Sequence, residues 1–120
     1  MVPGQIAHVD IPSDDLERAK TFYSELFGWQ IQGRPEFPNY AMFESGPGDL
    51  GGGIGIRGET APTKPRIYIT VDSIVDALSK VEGLGGSVAV EKTEVPGQGW
   101  YAAIFDSEGS EIGIWEALPA

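Results

Sequence analysis

The sequence contains no cysteine and a single histidine. Without thiols there can be no disulfides, no thiolate catalysis and no Cys-ligated zinc. With one imidazole, a Ser-His-Asp relay could be assembled only around His8, and no such triad is visible. Basic residues are also scarce, eight Lys and Arg against eighteen Asp and Glu, for a formal net charge of -10. That is the wrong sign for a nucleic-acid backbone or an anionic membrane surface, so neither is an expected partner. Most of the acid reads as a solvated, solubilising surface. No run approaches the ~20 apolar residues needed to span a bilayer. The opening residues have neither a basic head nor an apolar stretch, and a cytoplasmic location is the expectation.

What is present is enough for a core. A chain of 120 residues with 41% hydrophobic side chains is the size and composition of one globular domain, expected over 1–120. Within it a pattern recurs. Shifted by roughly 58 positions, Ile6 to Ala19 lies on Lys64 to Ala77, in the manner of an internal repeat. The same shift places Leu26 on Leu84, Gly28 on Gly86, and Ile54-Gly55-Ile56 on Ile112-Gly113-Ile114. Two units follow, one over about 4–58 and the other over about 64–117, joined by a polar linker from Glu59 to Lys64.

Each unit reads as β-α-β-β-β. Gln5 to Pro12 alternates in polarity as a strand, which Pro12 stops, with Ser13 or Asp14 set to cap a helix. Leu16, Ala19, Phe22, Tyr23 and Leu26 form its apolar stripe, and Gly28 ends it. Strands are expected at Trp29–Ile31, Tyr40–Glu44 and Gly52–Arg57, with a Gly/Pro turn at Ser45–Asp49. The second unit offers Arg66–Val71, a helix capped by Asp72 or Ser73, then Ser87–Val90, Trp100–Phe105 and Glu111–Glu116. If Val9, Ile11, Ile54, Ile67, Ile69, Ile112 and Ile114 face the helices, the opposite strand face is fixed by alternation. It carries His8, Asp10, Arg66, Tyr68, Thr70, Gly53, Gly55, Glu111, Gly113 and Trp115, a set that suits a cavity wall better than a core. Glycines there are expected to leave volume open.

Two such units, His8 in the first strand, the Asp15-Leu16-Glu17-Arg18-Ala19 helix start, Phe22-Tyr23 and Phe27-Gly28-Trp29 together resemble the vicinal oxygen chelate superfamily. The Asp106-Ser107-Glu108-Gly109-Ser110 turn is similar to that family's turn before the last strand. The resemblance implies an α+β fold in which two βαβββ units form a curved, eight-stranded mixed sheet with the helices outside. It also implies a homodimer and a ligand cup. In the metal-dependent members four inward positions hold one divalent cation. Here they are His8, Arg66, Gly55 and Gly113, and only His8 can ligate, because a guanidinium stays protonated. No metal or other cofactor is therefore expected, and a displaced His8–Glu111 site is the alternative.

The residues leave more than one role open. His8 is a hydrogen-bonding cavity residue or an acid–base group, since an imidazole can titrate near neutral pH. Arg66 pairs with Asp10 or Glu111, or clamps a carboxylate or enolate of a ligand. Tyr40, Met42, Tyr68, Trp100 and Trp115 form an aromatic wall for a planar ligand, or are ordinary core and interface residues. The run from Gly51 to Gly58 contains a formal G-x-G-x-x-G, but Glu59-Thr60-Ala61-Pro62 follows where a dinucleotide site needs a helix. Asp14, Glu17, Asp72 and Asp76 are helix-start acids. Two functions follow, beside a third reading in which the cup is a docking surface for a partner. One is a small-molecule-binding protein without the usual metal ligands, using His8, Asp10, Tyr40, Met42, Arg66, Tyr68, Trp100, Glu111 and Trp115. The other is a lyase, isomerase or dioxygenase-type enzyme acting on a vicinal-oxygen substrate. Its metal-free form has His8 as base and Arg66, with Tyr68, stabilising an oxyanion; its metal-assisted form uses His8 and Glu111.

Overall fold

The computed structural model describes residues 2–45 and 50–119, so residues 46–49 of the expected Ser45–Asp49 turn lie outside the description. The order is β1 (Ile6–Ser13), α1 (Leu16–Phe27), β2 (Ile31–Arg34), β3 (Phe37–Glu44), β4 (Gly51–Ile56), β5 (Arg66–Thr70), α2 (Ile74–Val81), a 3-10 turn (Glu82–Leu84), β6 (Ser87–Val95), β7 (Gly99–Phe105) and β8 (Glu111–Ala117). The class is α+β, with mixed parallel and antiparallel pairing. No helix among the described residues is long and apolar enough to cross a membrane.

The chain divides into two compact units, His8–Arg66, and Met1–Ala7 with Ile67–Ala120. In the first, β1 runs parallel to β4, and β4, β3 and β2 follow as an antiparallel meander. In the second, β5 runs parallel to β8, and β8, β7 and β6 follow in the same way. The two ladders differ in register. Tyr68 lies opposite Gly113, whereas Asp10, its counterpart under the 58-residue shift, lies opposite Gly53 rather than Gly55. The ungapped repeat therefore slips by one side-chain pair within the strands.

Helix α1 begins later than expected. β1 does not stop at Pro12; it continues through Ser13, whose hydroxyl donates to the Gly55 carbonyl oxygen (2.9 Å). With Ser13 committed to the sheet, Asp15 becomes the N-cap and accepts from the Arg18 backbone N–H (3.0 Å). Asp14 instead accepts from Arg57 Nε. Gly28 closes the helix in the left-handed region, φ 74°, its N–H bonded to the Ser24 carbonyl.

The apolar stripe of α1 is also rotated from its expected place. No α1 residue is buried, and Phe22 and Leu26 are more than half exposed. Tyr23 sets the rotation. Its ring stacks on Trp29 (5.4 Å between centroids, 7° between planes), and Trp29 stacks in turn on Phe43 of β3 (4.2 Å, 4°). This three-ring sandwich pins the helix to the sheet through the loop that leaves it.

In the second unit Ser73 caps α2, accepting from the Asp76 N–H (3.1 Å). Glu116 of β8 accepts from the Ile74 N–H (2.8 Å), so a second carboxylate meets the positive end of the helix. The core beneath is Ile74, Ala102 and Ile114, with Val71, Ala77, Leu78 and Trp100 packed around it. Ile74 is fully buried in this cluster. Ile74→Ala is expected to destabilise the protein by about 2–5 kcal/mol, read as a lowered midpoint in urea denaturation with an unchanged slope.

Candidate functional site

The strand face opposite α1 is built from rows that cross β1, β4 and β3. One row runs Asp10–Gly53–Met42 and the next Pro12–Gly55–Tyr40. Tyr40 belongs to the second row, yet its ring reaches across to the first. A Cβ built on Gly53 would lie 2.0 Å from Tyr40 Cζ and Oη, so the ring rests flat on bare glycine backbone. The expected open volume at Gly53 is therefore filled by a side chain. The approach is fixed at its root. Asn39 takes a left-handed conformation, φ 62°, and its carbonyl accepts from the Thr60 hydroxyl (2.5 Å). Thr60 Oγ1 also accepts from the Ile56 N–H (2.8 Å), tying the start of β3 to the end of β4.

Tyr40 ends in a three-way cluster. Its hydroxyl donates to Asp10 Oδ1 at 2.5 Å. His8 Nε2 lies 2.9 Å from the same oxygen and 2.8 Å from Tyr40 Oη. Because the phenol proton points to the carboxylate, Nε2 must carry the proton on its side of the triangle, donating to oxygen. Asp10 is nearly buried, 7% exposed, and receives charge-assisted hydrogen bonds that offset its desolvation. The His8 side chain keeps 28% of its surface, so solvent or a ligand can reach it.

The other expected residues lie as follows. Met42 flanks Gly53 and lines an open groove of about 580 Å³ beside β2 with Trp29, Gln32 and Arg34. Both faces of Trp29 are already covered by Tyr23 and Phe43, which leaves no free ring there for stacking. Arg66 is buried, at 8% exposure. In the second unit Tyr68 lies over Gly113, where an added Cβ would come within 2.3 Å of its ring. Trp115 is opposite Thr70 and Tyr101, and Glu111 is exposed opposite Phe105.

Trp100 does not join this aromatic face. It packs on the Ile74–Ala102–Ile114 core, and Lys92 Nζ stands 4.7 Å above its ring. Its neighbour Tyr101 takes the place expected for it, edge-on to Tyr68 (6.2 Å, 73°). Sequence reasoning missed Tyr101 by one residue of strand parity. The signal was available: counting outward from the Phe105–Glu111 pair puts Tyr101, not Trp100, opposite Trp115.

These geometries test a divalent metal directly. His8 Nε2 is engaged by Asp10 and Tyr40. The family's carboxylate position is Gly113, and the Tyr68 ring covers it. At Gly55 a Cβ would meet Thr60 and Ala61 atoms within 2.9 Å. Among the described residues no three His, Cys, Asp or Glu side chains cluster at metal-binding distance. The donors present do not fit a three- or four-ligand divalent site.

Comparison with known proteins places the fold and then the family. A bleomycin resistance protein-like N-terminal family profile matches residues 5–46. The chain is 35% identical to a glyoxylase-like domain-containing protein of Didymella fabae, over 69% of this chain and 70% of that one. It is 28% identical to the anthracycline biosynthesis protein DnrV of Streptomyces peucetius, over 94% of this chain. The chain spans about half the length of the curated relatives it matches from mycobacteria and Streptomyces, 44% and 47%. Among solved structures, methylmalonyl-CoA epimerase from Mycobacterium tuberculosis aligns over 97% of this chain and 89% of its own, with a TM-score of 0.69. At 16% identity that likeness shows the fold alone. The protein belongs to the glyoxalase-like group of the vicinal oxygen chelate superfamily.

The cluster carries a stability consequence. Tyr40→Phe keeps the ring on Gly53 but removes a donor from a nearly buried carboxylate. It is expected to cost about 1–3 kcal/mol in urea denaturation.

Proposed function

We propose that this protein binds a small molecule against the strand face that carries His8, Asp10 and Tyr40, and does so without a resident divalent metal. The observation that supports the reading is the cluster itself. Three polar side chains converge on a face of β1 and β3 whose intervening strand, β4, presents glycine at Gly51, Gly53 and Gly55. An apolar core would be served by packing side chains at these positions. A partly exposed imidazole joined to a nearly buried carboxylate serves recognition instead.

The second reading, an enzyme, draws on the same triangle. With Nε2 protonated, a substrate proton goes to Nδ1, as the Nε2 proton passes to Tyr40 Oη and the phenol proton passes to Asp10 Oδ1. A lyase or isomerase that forms an enolate needs such a base. Pairing of two copies, which the family resemblance implies, and a cytoplasmic setting, expected from the sequence, belong to this proposal.

The test is elemental analysis of purified protein offered zinc, nickel, manganese and iron, repeated on His8→Ala, followed by a small-molecule screen. As the single histidine, His8 gives one set of imidazole NMR signals to follow. No metal above background and ligands that shift these signals are expected. One metal per chain, lost in His8→Ala, would overturn the metal-free reading, and a screen that never moves His8 would overturn the binding face.

A further inference from the structure

The hydroxyl of Tyr40 is held as a bound ligand would be. It donates to Asp10 Oδ1 (2.5 Å) and lies 2.8 Å from His8 Nε2, while its ring lies against the uncovered backbone of Gly53. The His8 and Tyr40 rings are nearly parallel, 14° between planes with centroids 6.5 Å apart, so they meet tip to tip through the Nε2–Oη contact rather than face to face. We infer that His8, Asp10 and Gly53 form a receptor for a phenol or enol, and that in the free protein Tyr40 fills it with its own phenol. The inference rests on the binding face proposed above and names the ligand class it takes.

The chemistry of the pair selects that class. The occupant must give a proton to a carboxylate and accept one from Nε2 with the same atom. A carboxylate ligand has no proton to give and meets Asp10 with like charge. An ammonium ligand can donate but cannot accept from Nε2. A neutral hydroxyl does both. The hydroxyl that occupies the position is a phenol's, with its ring over the Gly53 backbone, and this favours a hydroxyl on a planar ring or enol over an aliphatic alcohol.

A ligand of this class competes with Tyr40, so its apparent affinity is lowered by the fraction of molecules in which Tyr40 has turned away. Removing the competitor should reveal the site. Three probes of one shape separate hydroxyl recognition from simple cavity filling: p-cresol, toluene and p-toluate. By calorimetry, Tyr40→Ala is expected to bind p-cresol at least about tenfold more tightly than the wild type does, with toluene and p-toluate far weaker and p-cresol binding lost in Tyr40→Ala/His8→Ala. Wild-type protein supplies the same test should Tyr40→Ala fail to fold: high p-cresol should shift the His8 imidazole signals, and toluene should not.

Equal binding of toluene and p-cresol overturns the inference, as does p-cresol binding by neither protein. A library compound without a hydroxyl that binds at His8 leaves the binding face standing and removes this assignment. A library with no binder, together with tight p-cresol binding by Tyr40→Ala, does the reverse.

Discussion

Both units depend on a tyrosine ring lying where a glycine has no side chain. Tyr40 lies over Gly53 and Tyr68 over Gly113. A strand face crowded with polar groups gains little from hydrophobic burial, and it must be covered by side chains that are apolar in the ring and polar at the tip. Tyrosine meets both needs. The ring covers backbone that glycine leaves bare, and the hydroxyl of Tyr40 adds a donor to the Asp10 carboxylate. Asp10 can be nearly buried because Tyr40 and His8 both point protons at it.

The glycines of β4 and β8 thus have a structural role that differs from the one their positions first suggest. At Gly53 and Gly113 the missing side chain makes room for an aromatic neighbour, and at Gly52 it makes room for backbone, since a Cβ there would lie 2.0 Å from the Val9 carbonyl oxygen. A side chain at Gly113 would meet the Tyr68 ring, which stands 2.3 Å from where its Cβ would lie.

The element order, the class and the polarity of most strands were legible in the sequence, because they rest on local signals: alternation in β1, the glycine stop at Gly28, the serine cap at Ser73. The misplacements share one cause. The α1 start moved because Ser13 found a partner on β4, and the exposed side of α1 was set by a stack that joins Tyr23 to Phe43, twenty residues along. Trp100 and Tyr101 were exchanged because parity along β7 is decided by its register on β8, not by its own composition. Of the candidate site, His8, Asp10 and Tyr40 could be named from the sequence, but their mutual contact could not. It requires Tyr40 to lean across a row, which nothing in β3 alone announces.

The contact between Tyr40 and Gly53 also constrains the order in which this site can evolve. A side chain at position 53 collides while the tyrosine lies over it, so that substitution needs Tyr40 to turn away or position 40 to become small. Exchange at position 40, in turn, first exposes a carboxylate and an imidazole without their shared hydroxyl. The two positions are thus coupled. Trimming the tyrosine leaves the Gly53 backbone bare, and a conventional strand face needs a side chain at position 53 as well.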